Sequence, residues 1–131
     1  MMRTAAPRHR QARSLLAVAA ALLTSTSFAP EVQAAKDKRG SLGRVVGMRV
    51  VTQGSHEHAS YHGFIRIKPP MADPETYYWG GSSCPGQKIT DAHMQVLVTA
   101  LRDQQQLQLR PYYYMGEAAD RCLVAFDLVA G

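Results

Sequence analysis

The segment Ser55-His56-Glu57-His58-Ala59-Ser60-Tyr61-His62 places three imidazoles and one carboxylate within eight residues. Imidazole nitrogens ligate zinc and copper, and two histidines one residue apart would share a side of a strand. A complete site needs another ligand, and no cysteine or second acid lies in the segment. His56, His58 and His62 therefore read first as a solvated polar loop and second as a metal site, and no cofactor is expected. Cys84, in GGSSCPG, could act as a nucleophile only beside an activating base, and none is arranged near it in the sequence. The same stretch is no nucleophile elbow, because G-x-S-x-G is absent. It is no phosphate loop either, because no lysine follows the glycines at the needed spacing. Asp73, Glu75, Asp91 and Asp103 show no paired-carboxylate logic. The expectation is a protein that is not an enzyme.

Aromatic residues offer a different chemistry. Six of the ten aromatics fall in two triplets, Tyr77-Tyr78-Trp79 and Tyr112-Tyr113-Tyr114. Neighbours on a strand face opposite ways, so each triplet must turn at least one ring away from the core. Amphipathic rings with polar tips suit stacking on sugars, stacking on nucleotides or a protein interface as well as ordinary core packing. Tyr78, Trp79, Tyr112 and Tyr114 are the candidate ligand-binding residues.

The compartment comes from the first residues of the 131-residue chain. Arg3, Arg8, Arg10 and Arg13 form a positive region, Leu15 to Leu23 is an unbroken apolar run, and Val32-Gln33-Ala34 offers small residues for cleavage. Residues 1–34 read as a signal peptide. The run is too short to span a bilayer, which needs about 20 apolar residues, so no stable membrane insertion is expected. Residues 35–42 read as a flexible lead-in, and 43–131 as one domain. Four of the 15 basic residues and one of the ten acids precede residue 35, which leaves a net charge of +2. That is too little for a nucleic-acid footprint, and no nucleic-acid partner is expected. Export makes the two cysteines, Cys84 and Cys122, a disulfide. The chain is expected to be periplasmic or secreted.

Hydrophobic periodicity supplies the elements. Arg44 to Thr52, Tyr61 to Lys68 and Thr76 to Trp79 read as three strands, the second alternating Tyr61, Gly63, Ile65 and Ile67 against His62, Phe64, Arg66 and Lys68. Asp91 to about Gln104 is a helix, capped by Thr90, with Met94, Leu97, Val98 and Leu101 as its apolar stripe. Its other side, Ala92, Val96, Thr99 and Ala100, is small and uncharged. Leu107 to Tyr114 is a fourth strand, with Pro111 at an edge or bulge. Cys122 to Val129, apolar on both faces apart from Asp127, is a central fifth. Three strands, a helix and two strands give a mainly β (α+β) class and match an OB-fold-like five-stranded barrel with one helix between strands three and four, an order that other small α+β folds share.

In this layout the chain resembles the B subunits of bacterial AB5 toxins, of the pertussis-like and subtilase-cytotoxin type. The resemblance runs from Gly47 to Val129. It rests on VVTQG (Val50 to Gly54), YHGFIRI (Tyr61 to Ile67), MQVLVTALRDQQQLQLRPYYY (Met94 to Tyr114) and RCLVAFDLV (Arg121 to Val129). It implies a pentameric ring of OB-folds that binds cell-surface glycans and carries an enzymatic A subunit, with the small-residue side of the helix available for ring closure. Gly47 stands where sugar-binding relatives carry a serine that contacts sialic acid, so that contact does not transfer. The competing expectation is a cell-envelope interaction or stress protein with a protein partner and no glycan ligand.

Overall fold

A computed structural model describes residues 37–131; the leader expected over 1–34 lies outside the described residues. The alternation of valine and isoleucine with polar residues produces the strands. They are β1 (Lys38–Arg39), β2 (Arg44–Val50), β3 (Gly63–Lys68), β4 (Glu75–Trp79), β5 (Leu107–Met115) and β6 (Arg121–Ala130). One helix, α1 (Asp91–Arg102), separates β4 from β5, and single 3-10 turns occupy His56–Ala59 and Glu117–Ala119. The class is mainly β.

The strands form one sheet in the order β1-β5-β6-β4-β3-β2. β2, β3 and β4 are joined antiparallel, as are β5 and β6, while β4 meets β6 in parallel at Tyr78 and Cys122. The sheet is not closed. Gly43, just before β2, meets Leu109 of β5 at one isolated bridge, whose two backbone hydrogen bonds measure 3.1 and 2.7 Å. Six strands replace the expected five. The addition is β1, which pairs Lys38 with Tyr113 and Arg39 with Tyr112 inside the expected lead-in. No hydrophobic signal marks this strand in the sequence, because both residues are exposed cations. Pro111 has no N–H to give to the ladder. Its carbonyl accepts from Gly40 N at 2.8 Å, and β6 shifts register beside it, between Tyr112 and Tyr113.

The core is Val45, Ile65, Ile67, Tyr77, Trp79, Leu97, Ala100, Leu109 and Leu123, with Met48, Ile89, Met94, Leu101, Tyr113 and Phe126 packed around it. The helix begins as expected: Thr90 Oγ1 accepts from His93 N at 3.3 Å, and Asp91 and Arg102 suit the two ends of the helix dipole. Its buried stripe is rotated from expectation. Ala100 sits fully in the core with Leu97, while Val98 is half-exposed. A methyl group is small enough to let the helix backbone approach the sheet there. β6 also differs from a strand covered on both faces. β4 accompanies it only at Cys122, so its later half runs as one arm of a ribbon with β5, leaving Ala125, Asp127 and Leu128 exposed.

Candidate functional site

Three loops meet at one end of the sheet. Ser82 N and Ser83 N donate to Ala59 O and Ser60 O at 2.9 Å each, and Glu117 N donates to Ser83 O at 3.2 Å. The Cys84–Cys122 disulfide, with Cα atoms 5.5 Å apart, ties this loop cluster to β6. Both sulfurs are buried and no free cysteine exists among the described residues, so the reactive-thiol alternative is closed. A disulfide is the bond of an oxidising compartment. No described helix is long and apolar enough to cross a membrane.

Beside these loops lies a group of rings. Tyr61, Phe64 and Tyr78 form a triangle, with centroids 6.1 Å apart for Tyr61–Phe64, 5.3 Å for Tyr61–Tyr78 and 5.7 Å for Phe64–Tyr78. All three are half-buried. Strand alternation explains the placement. Ile65 and Ile67 on β3, and Tyr77 and Trp79 on β4, point into the core, so Phe64 and Tyr78 point outward. They are cross-strand partners in the β3–β4 ladder. Tyr61, which strand alternation groups with Gly63, Ile65 and Ile67, precedes the first paired residue, Gly63, and is free to swing onto the outer rings. Burial, then the nearby Asp120 carboxylate and Tyr61, push the Tyr78 phenol above its ordinary value near 10.0, so it stays protonated and able to donate a hydrogen bond.

The other candidate residues separate. Trp79, expected among the binding aromatics, is 3% exposed and packs in the core over Gly63. Alternation decides this: within the triplet only Tyr78 can face out when Tyr77 and Trp79 face in. Tyr112 and Tyr114 lie on the outer face of β5. Tyr112 Oη donates to Asp127 Oδ2 at 2.9 Å, and Tyr114 Oη donates to Pro85 O at 3.4 Å. Tyr78 and Tyr114 are both in register with Cys122, one strand to each side of it. The candidate tyrosines thus form two patches with the disulfide between them. Phe64 and Tyr61 complete the β3–β4 patch; Phe64 was legible as an outward position, but its pairing with Tyr78 needs the ladder register.

Of the histidines, His58 and His62 stack, with ring centroids 4.0 Å apart and planes 15° apart. No group of three or more His, Cys, Asp or Glu is placed to hold a metal ion among the described residues. Burial, then the electrostatic influence of the neighbouring His58 and Lys88, lower the His62 pKa from its ordinary 6.5. Glu57, the acid adjacent to the histidines, is instead engaged by Arg49 Nη2 at 2.5 Å.

No protein-family model matches this chain, and no curated protein or solved structure matches it either. Deeper in the same fold, Tyr77 Oη donates to Glu75 Oε2 at 2.6 Å, and the Arg121 guanidinium lies 5.7 Å from the Tyr77 ring centroid and 5.8 Å from that of Tyr113. Burial, followed by Glu75, raises the Tyr77 pKa far above the usual tyrosine value. This cluster is structural: Tyr77 is fully buried, and no buried side-chain polar atom among the described residues lacks a hydrogen-bond partner.

Proposed function

We propose that this chain is an exported, disulfide-stapled binding module, not an enzyme, that recognises glycans through the Tyr61–Phe64–Tyr78 face. The observation that carries the reading is this outward triangle of half-buried rings beside the disulfide-held loops. Aromatic faces stack on the apolar C–H faces of sugars, while the Tyr61 and Tyr78 hydroxyls offer polar contacts at the edge. Covalent pinning of the adjacent loop limits the ordering entropy that binding must offset.

An OB-like barrel is part of the proposal. Support comes from the strand order β2-β3-β4-β6-β5, the parallel meeting of β4 and β6, and the Gly43–Leu109 bridge, which joins the residue just before β2 to β5. In such a barrel the outer face of the second and third strands is the usual ligand platform, and here those strands are β3 and β4. Assembly into a homo-oligomeric ring, a pentamer by resemblance, is proposed on the solvent side of α1, where Ala92, Val96 and Thr99 would let another copy approach closely.

The test is a glycan array probed with the purified protein and with Tyr78→Ala and Phe64→Ala. The proposal expects a defined set of glycan hits that both variants weaken by about tenfold or more, roughly the worth of one lost stacking ring. An array with no hits, or hits insensitive to both substitutions, refutes it. Native mass spectrometry decides the assembly: a monomer at micromolar concentration removes the ring.

A further inference from the structure

The ring triangle is one end of a longer surface feature. β2 and β3 present Arg44, Arg49, Arg66 and Lys68 on the same side as Phe64. Arg49 lies opposite Phe64, Gly47 opposite Arg66, and Arg44 opposite Lys68. Directly opposed residues of an antiparallel pair share a face. Gly47 confirms it: a β-carbon built there would lie 3.7 Å from both Cβ and Cδ of Arg66. All four basic residues are exposed. Alternate residues of a strand lie about 7 Å apart, and diagonal cross-strand neighbours about 7–8 Å. The strand positions that carry the positive side chains therefore recur at about 7 Å from Arg49 through Arg66 to the Arg44–Lys68 pair. Among the described residues only Arg49 of this group has an ion-pair partner, Glu57; Arg44, Arg66 and Lys68 have none.

The far end of the row is a pocket of about 250 Å³, lined by Gly43, Arg44, Lys68, Pro69, Pro70 and Met71 together with Gln108. Lys68 Nζ donates to Ala72 O, which fixes the lysine at the pocket wall. The surface thus joins an apolar ring platform, a row of cations at regular spacing and a small recess with two cations on its rim.

We propose that this face is a track for a linear sulfated glycan. The ligand would lie along β3 with one sugar against Phe64 and Tyr78. Its sulfate groups would meet Arg66 and the Arg44–Lys68 recess. Guanidinium donors match oxyanions in a two-pronged geometry, and sulfate esters remain charged across the physiological range. A neutral sugar would leave three cations without counter-charge. A nucleic acid also carries regular anions, but a disulfide-bonded chain of low net charge after residue 34 belongs to a compartment where glycans are the abundant polyanions. The inference rests on the glycan reading above and adds the ligand's charge.

The experiment measures binding of the full protein to three probes by calorimetry. They are a hexameric sulfated glucosamine–uronate oligosaccharide, the same oligosaccharide after removal of its sulfates, and a single-stranded oligonucleotide of equal charge. The expected result is binding to the first that weakens as salt rises, and at least about tenfold weaker binding to the other two. Arg66→Gln with Lys68→Gln, both exposed and outside the core, should weaken the sulfated probe by about tenfold or more. Arg44→Gln should do so independently at the recess. Equal affinity for the desulfated probe, or indifference to all three substitutions, overturns the proposal. An oligonucleotide that binds as tightly overturns it in favour of nucleic acid. If array hits persist, depend on Tyr78 and ignore sulfate, the glycan reading stands and this one falls. If no glycan of any kind binds, both fall.

Discussion

Replacing both Cys84 and Cys122 with alanine should lower the stability of this domain by about 4 kcal/mol. The two residues are 38 apart in sequence. In the loop-closure account, releasing a link of that span returns about 13 cal/mol/K to the unfolded chain, which is about 4 kcal/mol at 25 °C. Small domains commonly hold 5–15 kcal/mol in total. In a domain of this size each kcal/mol corresponds to about 4–8 °C, so the melting temperature should fall by roughly 15–30 °C. Local geometry argues for the upper part of that range. The bond anchors the loop whose Ser82 and Ser83 amides hold the Ala59–Ser60 backbone and whose Ser83 carbonyl receives Glu117 N. It also ends beside the only register pair between β4 and β6. Thermal unfolding followed by far-ultraviolet circular dichroism, with and without reductant, measures the effect. Reductant should lower the melting temperature of the native protein and leave the double alanine variant unchanged. A drop below about 5 °C on substitution would refute the reasoning, since it would mean that the loops and the strand junction hold without the covalent link.

Other expectations follow from single residues. A β-carbon at Gly63 would sit 2.3 Å from the Trp79 ring and 2.5 Å from Arg49 O, so Gly63→Ala should cost about 1–3 kcal/mol and shift the tryptophan fluorescence. The lowered pKa of His62 means that the folded protein resists its protonation: stability is present above pH 6.5 and is lost as pH falls through the lowered folded-state value. Melting temperature measured from pH 7.5 to 4.5 should show this acid limb, and His62→Gln should flatten it; an unchanged profile rejects the assignment. The raised Tyr77 pKa acts at the other extreme. Its contribution is full below pH 10.0 and declines above it, as the unfolded phenol ionises first. Tyr77→Phe should lessen that alkaline loss, read by denaturant titration at pH 9 and 11. It should also cost about 1–2 kcal/mol at neutral pH through the lost bond to Glu75.

Most of the sheet was legible because its residues alternate cleanly. The alternation of Ile65 and Ile67 with Arg66 and Lys68 marks β3 as a strand, and the Thr90 cap marks the start of α1. The disulfide followed from two cysteines and the expected leader. What escaped the sequence depended on partners rather than periodicity. β1 is defined only by the carbonyls and amides of β5. Ala100 is buried in the core beside Leu97, where helical spacing alone assigns it to the opposite side. Tyr61 lies just before its strand, where alternation no longer fixes direction. The site shows the same division. Tyr78 was identified, but the triangle it makes with Phe64, and the row formed by Arg49, Arg66, Arg44 and Lys68, exist only once the registers of β2–β3 and β3–β4 are set. Trp79 shows the complementary limit: a triplet shows that some ring must face out without showing which.

The meeting of Gly43 with Leu109 has a dynamic consequence. Two peptide hydrogen bonds hold the rim together at that point, and no side chain can reinforce them, because a β-carbon on Gly43 would lie 2.6 Å from Lys68 O. Such a latch should breathe more readily than the long β5–β6 ribbon, so the amides of Gly43 and Leu109 should take up deuterium earlier than those of Arg110 or Tyr112. Each opening would briefly wet Val45 and Leu109, which are otherwise sealed from water. Because Gly43 also walls the recess beside Arg44, any molecule lodged there would keep the latch shut and slow that uptake, linking an event on the surface to the tightness of the interior.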